Sequence, residues 1–306
     1  MLNFQPVSLG IKPLVESYTL KYGEGSCQHS FVSSFCLRDK YGDEFCEKDG
    51  FLYTLRSRRC TDSERVYLFP HGDRANIKQA LAEILDDAHS NGARVRFETI
   101  TSSAKDIVCG LFPEAFRVES SRDLAEYLCS TNDLVKMPGR HFMNRRNMIH
   151  KFFREYGSRC EILRIAPEHI ESIRNFQGEW LDEKLLRENN PLREIQLQHE
   201  DDGVQCGLDN FFELGLSGIV ILIDGEIHGY MYGSPLSAEC FDAISGKGDV
   251  NIPDISSVLK CEFTRMCCEG FKYVNLEEDL GVEGLRRMKT LYMPAYMIEK
   301  FILTEK

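Results

Sequence analysis

Two segments of the chain repeat one pattern of apolar and polar positions. GDEFCEKDGFLYTLRS (42–57) sets two strand-like runs on either side of Asp49-Gly50, and SGIVILIDGEIHGYMYG (217–233) does the same around Asp224-Gly225. Asp-Gly between such runs predicts a hairpin, because both turn residues must take positive φ. The first hairpin is followed by Ile77, Leu81, Ile84, Leu85 and Ala88 at helical spacing, with Gly92 as a stop. A strand (93–100), a short helix (104–112) and a strand-like AFRVES (115–120) come next. The second hairpin leads into a strand CFDAIS (240–245) and a helix with Ile255, Val258, Leu259, Phe263 and Met266 on one side. A strand FKYVNLEED (271–279), a helix (282–293) and a closing strand AYMIEKFIL (295–303) complete it. Hairpin, helix, strand, helix, strand, twice over, predicts two tandem mixed α/β (α+β) domains of similar topology. The expected boundaries are 1–138, a basic connecting helix over 139–158, and 159–306, with CEILRI (160–165) opening the second unit. Residues 181–205 have little periodicity at their centre and read as part helix, part mobile loop.

The connecting helix breaks the oily pattern. At about 100° per residue, Phe142, Ile149, Phe152 and Phe153 share a face, yet Arg145 projects from its middle and Arg146 from its edge. An unpaired buried guanidinium costs several kcal/mol, so Arg145 needs an anion or a wet cleft. Two readings stand: an ion pair clamping the two halves, or a ligand phosphate or carboxylate held bidentately. Arg146 and Asn147 turn progressively toward the open face. The setting is a chain of 306 residues with net charge −11, which opposes indiscriminate nucleic-acid binding. Between Lys136 and Arg159, however, seven basic side chains meet one acid, Glu155. A basic strip on an acidic body suits a local anionic ligand.

The N-terminus lacks the basic start and oily core of a signal peptide, and no apolar run approaches the ~18 residues of a membrane span; a cytoplasmic location is expected. The twelve cysteines include no C-x-x-C and read as buried, reduced thiols, with no metal site expected.

In NLEEDLGVEGLRRMKTLY (275–292), Glu277, Glu278 and Asp279 end a strand just before a helix. Strand alternation turns one of Glu277 and Glu278 inward, and that one becomes a general base if burial raises its pKa. Asp279 is either the helix N-cap or a ligand contact. Gly281 and Gly284 permit close approach of a ligand or backbone. Arg286 and Lys289 share a helical face, as an anion patch or as solvated charges. His228, alone in its strand, reads as structural.

The order of elements resembles the GNAT superfamily of N-acyltransferases, and more closely a bacterial family related to the C-terminal domain of phosphatidylglycerol lysyltransferase. Three stretches carry the likeness: RDLAEYLCSTNDLVKMPGRHFMNRRNMIHKFFREY (122–156), LDNFFELGLSGIVILIDGEIHGYMYGSPL (208–236) and YVNLEEDLGVEGLRRMKTLYMPAYMIEKF (273–301). The resemblance implies two tandem GNAT-like acyltransferase domains and an acyl- or aminoacyltransferase using aminoacyl-tRNA, with the tRNA acceptor end as partner. It also implies that Tyr292, in the Leu-Tyr segment, protonates the leaving group. Lys247 matches the lysine of a family Glu-Lys pair, but Gly246 stands where the acid would be. The Gly-rich turn that cradles CoA pyrophosphate is replaced by GKGDVNIPDISS, whose two acids would repel it. Two alternatives remain: a non-catalytic module binding an anionic ligand between the domains, and acetyl transfer from acyl-CoA.

Overall fold

The computed structural model describes residues 2–306. Thirteen strands form one sheet: β1 (Gln5–Pro6), β2 (Asp43–Lys48), β3 (Phe51–Arg56), β4 (Glu64–Tyr67), β5 (His71–Gly72), β6 (Arg94–Ile100), β7 (Phe116–Ser130), β8 (Cys160–Arg164), β9 (Ser217–Ile223), β10 (Glu226–Pro235), β11 (Cys240–Gly248), β12 (Tyr273–Glu278) and β13 (Tyr296–Glu305). The order is β1-β2-β3-β4-β6-β13-β7-β12-β11-β10-β9-β8, with β5 paired to β3. Both expected hairpins form, with Asp49 and Gly50 at φ 52° and 77° and Asp224 and Gly225 at 53° and 86°. The tandem GNAT-like arrangement is therefore present, as mixed α/β repeats sharing one open sheet.

The repeats interlock at the centre. β13, from the end of the chain, lies between β6 and β7 of the first half, and β7 lies between β13 and β12 of the second. Each half thus encloses the other's last strand. A second feature lies in β11 and β12, which run parallel but pair only over Cys240–Asp242 and Tyr273–Asn275. Both strands continue, to Gly248 and Glu278, so beyond Asp242 and Asn275 they part and leave a wedge.

Three apolar clusters hold this frame. In the first half, Leu81 and Ile84 of the helix Ile77–Ser90 pack on Tyr53, Val95 and Phe97. In the second, the helices Met143–Tyr156 and Ile255–Cys267 bury Phe152, Val258 and Phe263 against Ile219 and Ile221. A third cluster joins the halves: Phe31 and Phe35 of the helix Phe31–Cys36 meet Val204 and Leu208 of the helix Pro191–Asp209 and the stacked Tyr230 and Tyr232. Among the described residues, no helix is long and apolar enough to cross a membrane.

Two expectations are corrected. Residues 181–205 hold no long loop: the helix Ile170–Arg187 is followed after three residues by Pro191–Asp209, because Asn190 caps the second helix by accepting from Leu192 N and Pro191 fits its first turn. Phe153 does not join Phe142 and Phe152 in the core; it is 39% exposed.

Candidate active site

The parted strands place acids in the wedge. Asp242 is the last residue of β11 that pairs with β12; it is buried, and its Oδ1 lacks a hydrogen-bond partner among the described residues. Opposite it, Glu277 adopts φ 58°, a left-handed conformation that costs a non-glycine residue about 1 kcal/mol or more. That kink breaks the strand alternation, and the pairing of β12 with β7 slips between Asn275 and Glu278. Strict alternation therefore no longer decides which glutamate faces inward, and the carboxylates of Asp242 and Glu278 both act on Glu277. Glu278 is engaged: Oε1 accepts from Gln28 Nε2 at 2.8 Å and Oε2 from Cys27 Sγ at 3.4 Å. Among the described residues, the Glu277 carboxylate has no hydrogen-bond partner. Burial, then the carboxylates of Asp242 and Glu278, pushes its pKa well above the usual carboxylate range. Asp242 is raised likewise, by burial and by Glu126 and Glu278. Glu277, raised by burial and free of side-chain hydrogen bonds among the described residues, is the candidate for proton transfer.

Cations line the neighbouring wall. The Arg145 guanidinium stacks on the Tyr292 ring at 3.8 Å, and its Nη1 donates to Ser257 Oγ at 3.2 Å. Lys260 Nζ stands 5.1 Å over the same ring. Lys289, buried, donates to the Glu278 carbonyl at 2.5 Å. Among the described residues, none of these three cations forms an ion pair with a carboxylate. Burial, and next the ammonium of Lys289, brings Lys260 down to about 8, with Arg145 adding to the effect. Tyr292 is 1% exposed, and burial raises its pKa, so it keeps its proton at neutral pH. Arg145 and Lys260 share the Tyr292 ring, while Lys289 lies near enough to Lys260 to lower its pKa and near enough to Glu277 to oppose the rise in its pKa. The helix Met143–Tyr156 aims the Arg145 guanidinium at an aromatic face and not at a carboxylate clamp.

Other singled-out residues are occupied elsewhere. Asp279 is not an N-cap, since Val282 precedes the helix Glu283–Thr290. It instead accepts from Arg286 Nη2 and Nε at 2.7 and 2.9 Å, from Tyr127 OH at 2.5 Å, from Arg122 Nη1 at 3.1 Å and from Gly281 N at 2.9 Å. Arg286 therefore belongs to a structural clamp and forms no patch with Lys289. Gly281, at φ 77°, faces Asp123: a Cβ there would lie 3.0 Å from Asp123 Oδ2. Arg146 donates to the carbonyls of Met137 and Gly139 and fastens the preceding loop. Asn147 is exposed. Lys247 pairs with Glu200 and lies 4.2 Å over the Trp180 ring. With Gly246 lacking a side chain, the acid beside Lys247 comes from the neighbouring helix. Burial opposes ionisation of Glu200, but Lys247 holds its carboxyl below the usual range.

Two features had not been singled out. Lys260 is one; Ser257, Lys260 and Thr264 recur at three- and four-residue spacing beside the apolar face of Val258, Leu259 and Phe263, and that polar stripe is the available signal. The other is the junction itself. On β7 and β13, Glu126 and Lys300 form a fully buried pair at 2.7 Å. Glu126 also accepts from Ser26 Oγ at 2.8 Å, Cys27 N at 3.1 Å and Asn275 Nδ2 at 2.6 Å. Cys27, Glu126 and Glu278 are close enough for a metal, but Lys300 already supplies the cation and the other donors occupy the Glu126 oxygens. Gln28 links this centre to the first half, accepting from the buried Arg56 Nη2 at 3.2 Å.

The family model described as phosphatidylglycerol lysyltransferase, C-terminal, matches residues 21–304. A conserved protein of unknown function from Bacteroides thetaiotaomicron is 26% identical with a TM-score of 0.92, covering 100% of both chains. The C-terminal domain of a lysylphosphatidylglycerol synthetase from Agrobacterium fabrum gives 12% and 0.66, over 98% of this chain and 93% of that one. L-PGS from Bacillus licheniformis gives 16% and 0.66, over 96% and 91%. These last two show the shared fold. Among curated proteins, none matches.

Proposed function

The chain belongs to the family of the phosphatidylglycerol lysyltransferase C-terminal domain, and on that premise we propose that it is an acyl- or aminoacyltransferase whose donor is an aminoacyl-tRNA. An acceptor amine or hydroxyl attacks the carbonyl carbon of the donor ester in the wedge between β11 and β12. Glu277 takes the acceptor's proton, and Tyr292 protonates the departing hydroxyl. Arg145, Lys260 and Lys289 hold the donor phosphates and stabilise charge in the transition state. The observation that supports this most is a carboxyl with a raised pKa beside Lys289, one of three neighbouring cations that pair with no carboxylate among the described residues. With a net charge of −11, the rest of the chain repels an extended polyanion and confines contact to the tRNA acceptor end.

Gly246 favours a second reading, a module that binds a small anionic ligand without chemistry. Titration of the protein with pooled aminoacyl-tRNAs, with the same tRNAs after deacylation, and with acetyl-CoA separates the cases. The transferase reading predicts salt-sensitive binding that is tightest for the charged tRNAs and absent for acetyl-CoA. Binding of acetyl-CoA alone would move the assignment to acyl-CoA chemistry. Failure of both, beside tight binding of a small anion, would leave the module.

A further inference from the structure

Away from the wedge, the helices Phe31–Cys36 and Pro191–Asp209 frame a surface cleft of about 420 Å³. Cys36 and Cys206 both line it, one from each half of the chain. Arg38 Nη1 lies 3.0 Å from Cys206 Sγ and 2.9 Å from the Phe35 carbonyl. The guanidinium thus holds the Cys206 sulfur against the turn that carries Cys36, with Sγ 4.0 Å from that same carbonyl. Neither cysteine is fully buried. The S–H of Cys36 first, and then Arg38, outweigh burial and bring Cys206 down to about 6, while Cys36 is pushed up and keeps the proton. Burial drives other thiols the opposite way, Cys129 to about 12 and Cys267 to about 11. An accessible sulfur beside a cation, with a second thiol in reach, is the arrangement of a redox-reactive pair.

We propose that Cys206 is a hydroperoxide-reactive thiolate and Cys36 its resolving partner, so that oxidation ties the two halves together through a disulfide. The Cys206 sulfur attacks one peroxide oxygen and the O–O bond breaks; Cys206 becomes a sulfenic acid and hydroxide leaves, as water after protonation. The Cys36 thiol then attacks the sulfenic sulfur, forming the S–S bond and releasing the hydroxyl as water. The pair loses two electrons, which the peroxide takes up. Glu200, the partner of Lys247, is on the same helix as Cys206, so the bond restrains an element that reaches the wall of the wedge.

The test is hydrogen peroxide treatment of the full chain, with peptide mass mapping under non-reducing conditions. The expected product is a Cys36–Cys206 disulfide formed before any other cysteine reacts. Cys36→Ser should instead accumulate a sulfenic acid at Cys206, trapped by dimedone, and Arg38→Met should slow oxidation several-fold at pH 7. Oxidation spread over other cysteines with Cys206 intact, or no thiol reacting at all, would overturn the proposal; the wild-type map decides this even if a variant folds poorly. An Arg38→Met rate equal to that of the wild type would remove the arginine from it.

Discussion

Replacing Lys300 by Met tests the interlocked centre. Among the described residues its ammonium is the one cation paired with Glu126, and both side chains are inaccessible to solvent. Without it, Glu126 retains three donors, Ser26 Oγ, Cys27 N and Asn275 Nδ2, but becomes a buried charge without a counter-ion. Breaking one side of such a pair costs about 3–5 kcal/mol. With a urea slope of about 3 kcal/mol per molar, the unfolding midpoint should fall by about 1–1.7 M. Glu126→Gln alone should also be costly, because it strands the ammonium. The double variant should lose much less than the sum, giving a coupling of at least about 2 kcal/mol. The pH response follows from the same pair: burial opposes ionisation of Glu126, but Lys300 holds its carboxyl below the usual range. Its contribution is therefore complete above the ordinary carboxylate pKa and disappears as pH falls through the native value. Urea titrations of the four proteins, followed by circular dichroism, decide the matter. Additive single effects below about 1 kcal/mol would refute the reasoning, showing a hydrated centre rather than a desolvated one.

Three further outcomes follow from the wedge and its surroundings. Glu277 and Asp242 have raised pKa values, so the native state holds protons that the unfolded chain releases, and wild-type stability should fall as pH rises above the ordinary carboxylate range. Thermal melts of Glu277→Gln and Asp242→Asn should show a flatter pH dependence and a higher melting temperature near pH 8, while Glu277→Gln abolishes transfer. Asp279→Asn removes the charge that organises Arg286, Arg122 and Tyr127 and should cost about 3 kcal/mol in chemical denaturation, with donor affinity little changed under conditions where the protein stays folded. Arg145→Ala loses one hydrogen bond and one stacked cation, about 1–2 kcal/mol of stability. If Arg145 also receives phosphate, the variant should lose 10-fold or more in donor affinity, about 1.5–3 kcal/mol. A lower melting temperature at unchanged affinity would make the arginine purely structural.

Local chemistry made much of the fold readable. Asp49-Gly50 and Asp224-Gly225 dictate their turns, and the apolar spacing in 77–88 and 255–266 fixes two helices and the faces they bury. The interleaving of β7 and β13 was not readable, because strand order depends on pairings between residues far apart in the chain. Glu126 and Lys300 are 174 positions apart and each alone looks like a solvated charge. The site was legible in part. Arg145 stood out because it interrupts an apolar face, and the structure brings it to Tyr292. The choice between Glu277 and Glu278 depended on alternation, which the positive φ at Glu277 destroys. Asp279 and Arg286 looked like ligand groups because their partners, Arg122, Asp123 and Tyr127, lie on a strand more than 150 residues earlier.

The most direct measurement is the salt dependence of donor binding. With a charged tRNA acceptor-stem fragment as probe, the slope of log affinity against log salt counts the phosphates neutralised, at about −0.7 per contact for single-stranded ends. Three contacts from Arg145, Lys260 and Lys289 predict a slope of about −2, reduced by about 0.7 in each of Arg145→Ala, Lys260→Met and Lys289→Met. A slope that none of the three substitutions changes would place the donor elsewhere and contradict the wedge as the active centre.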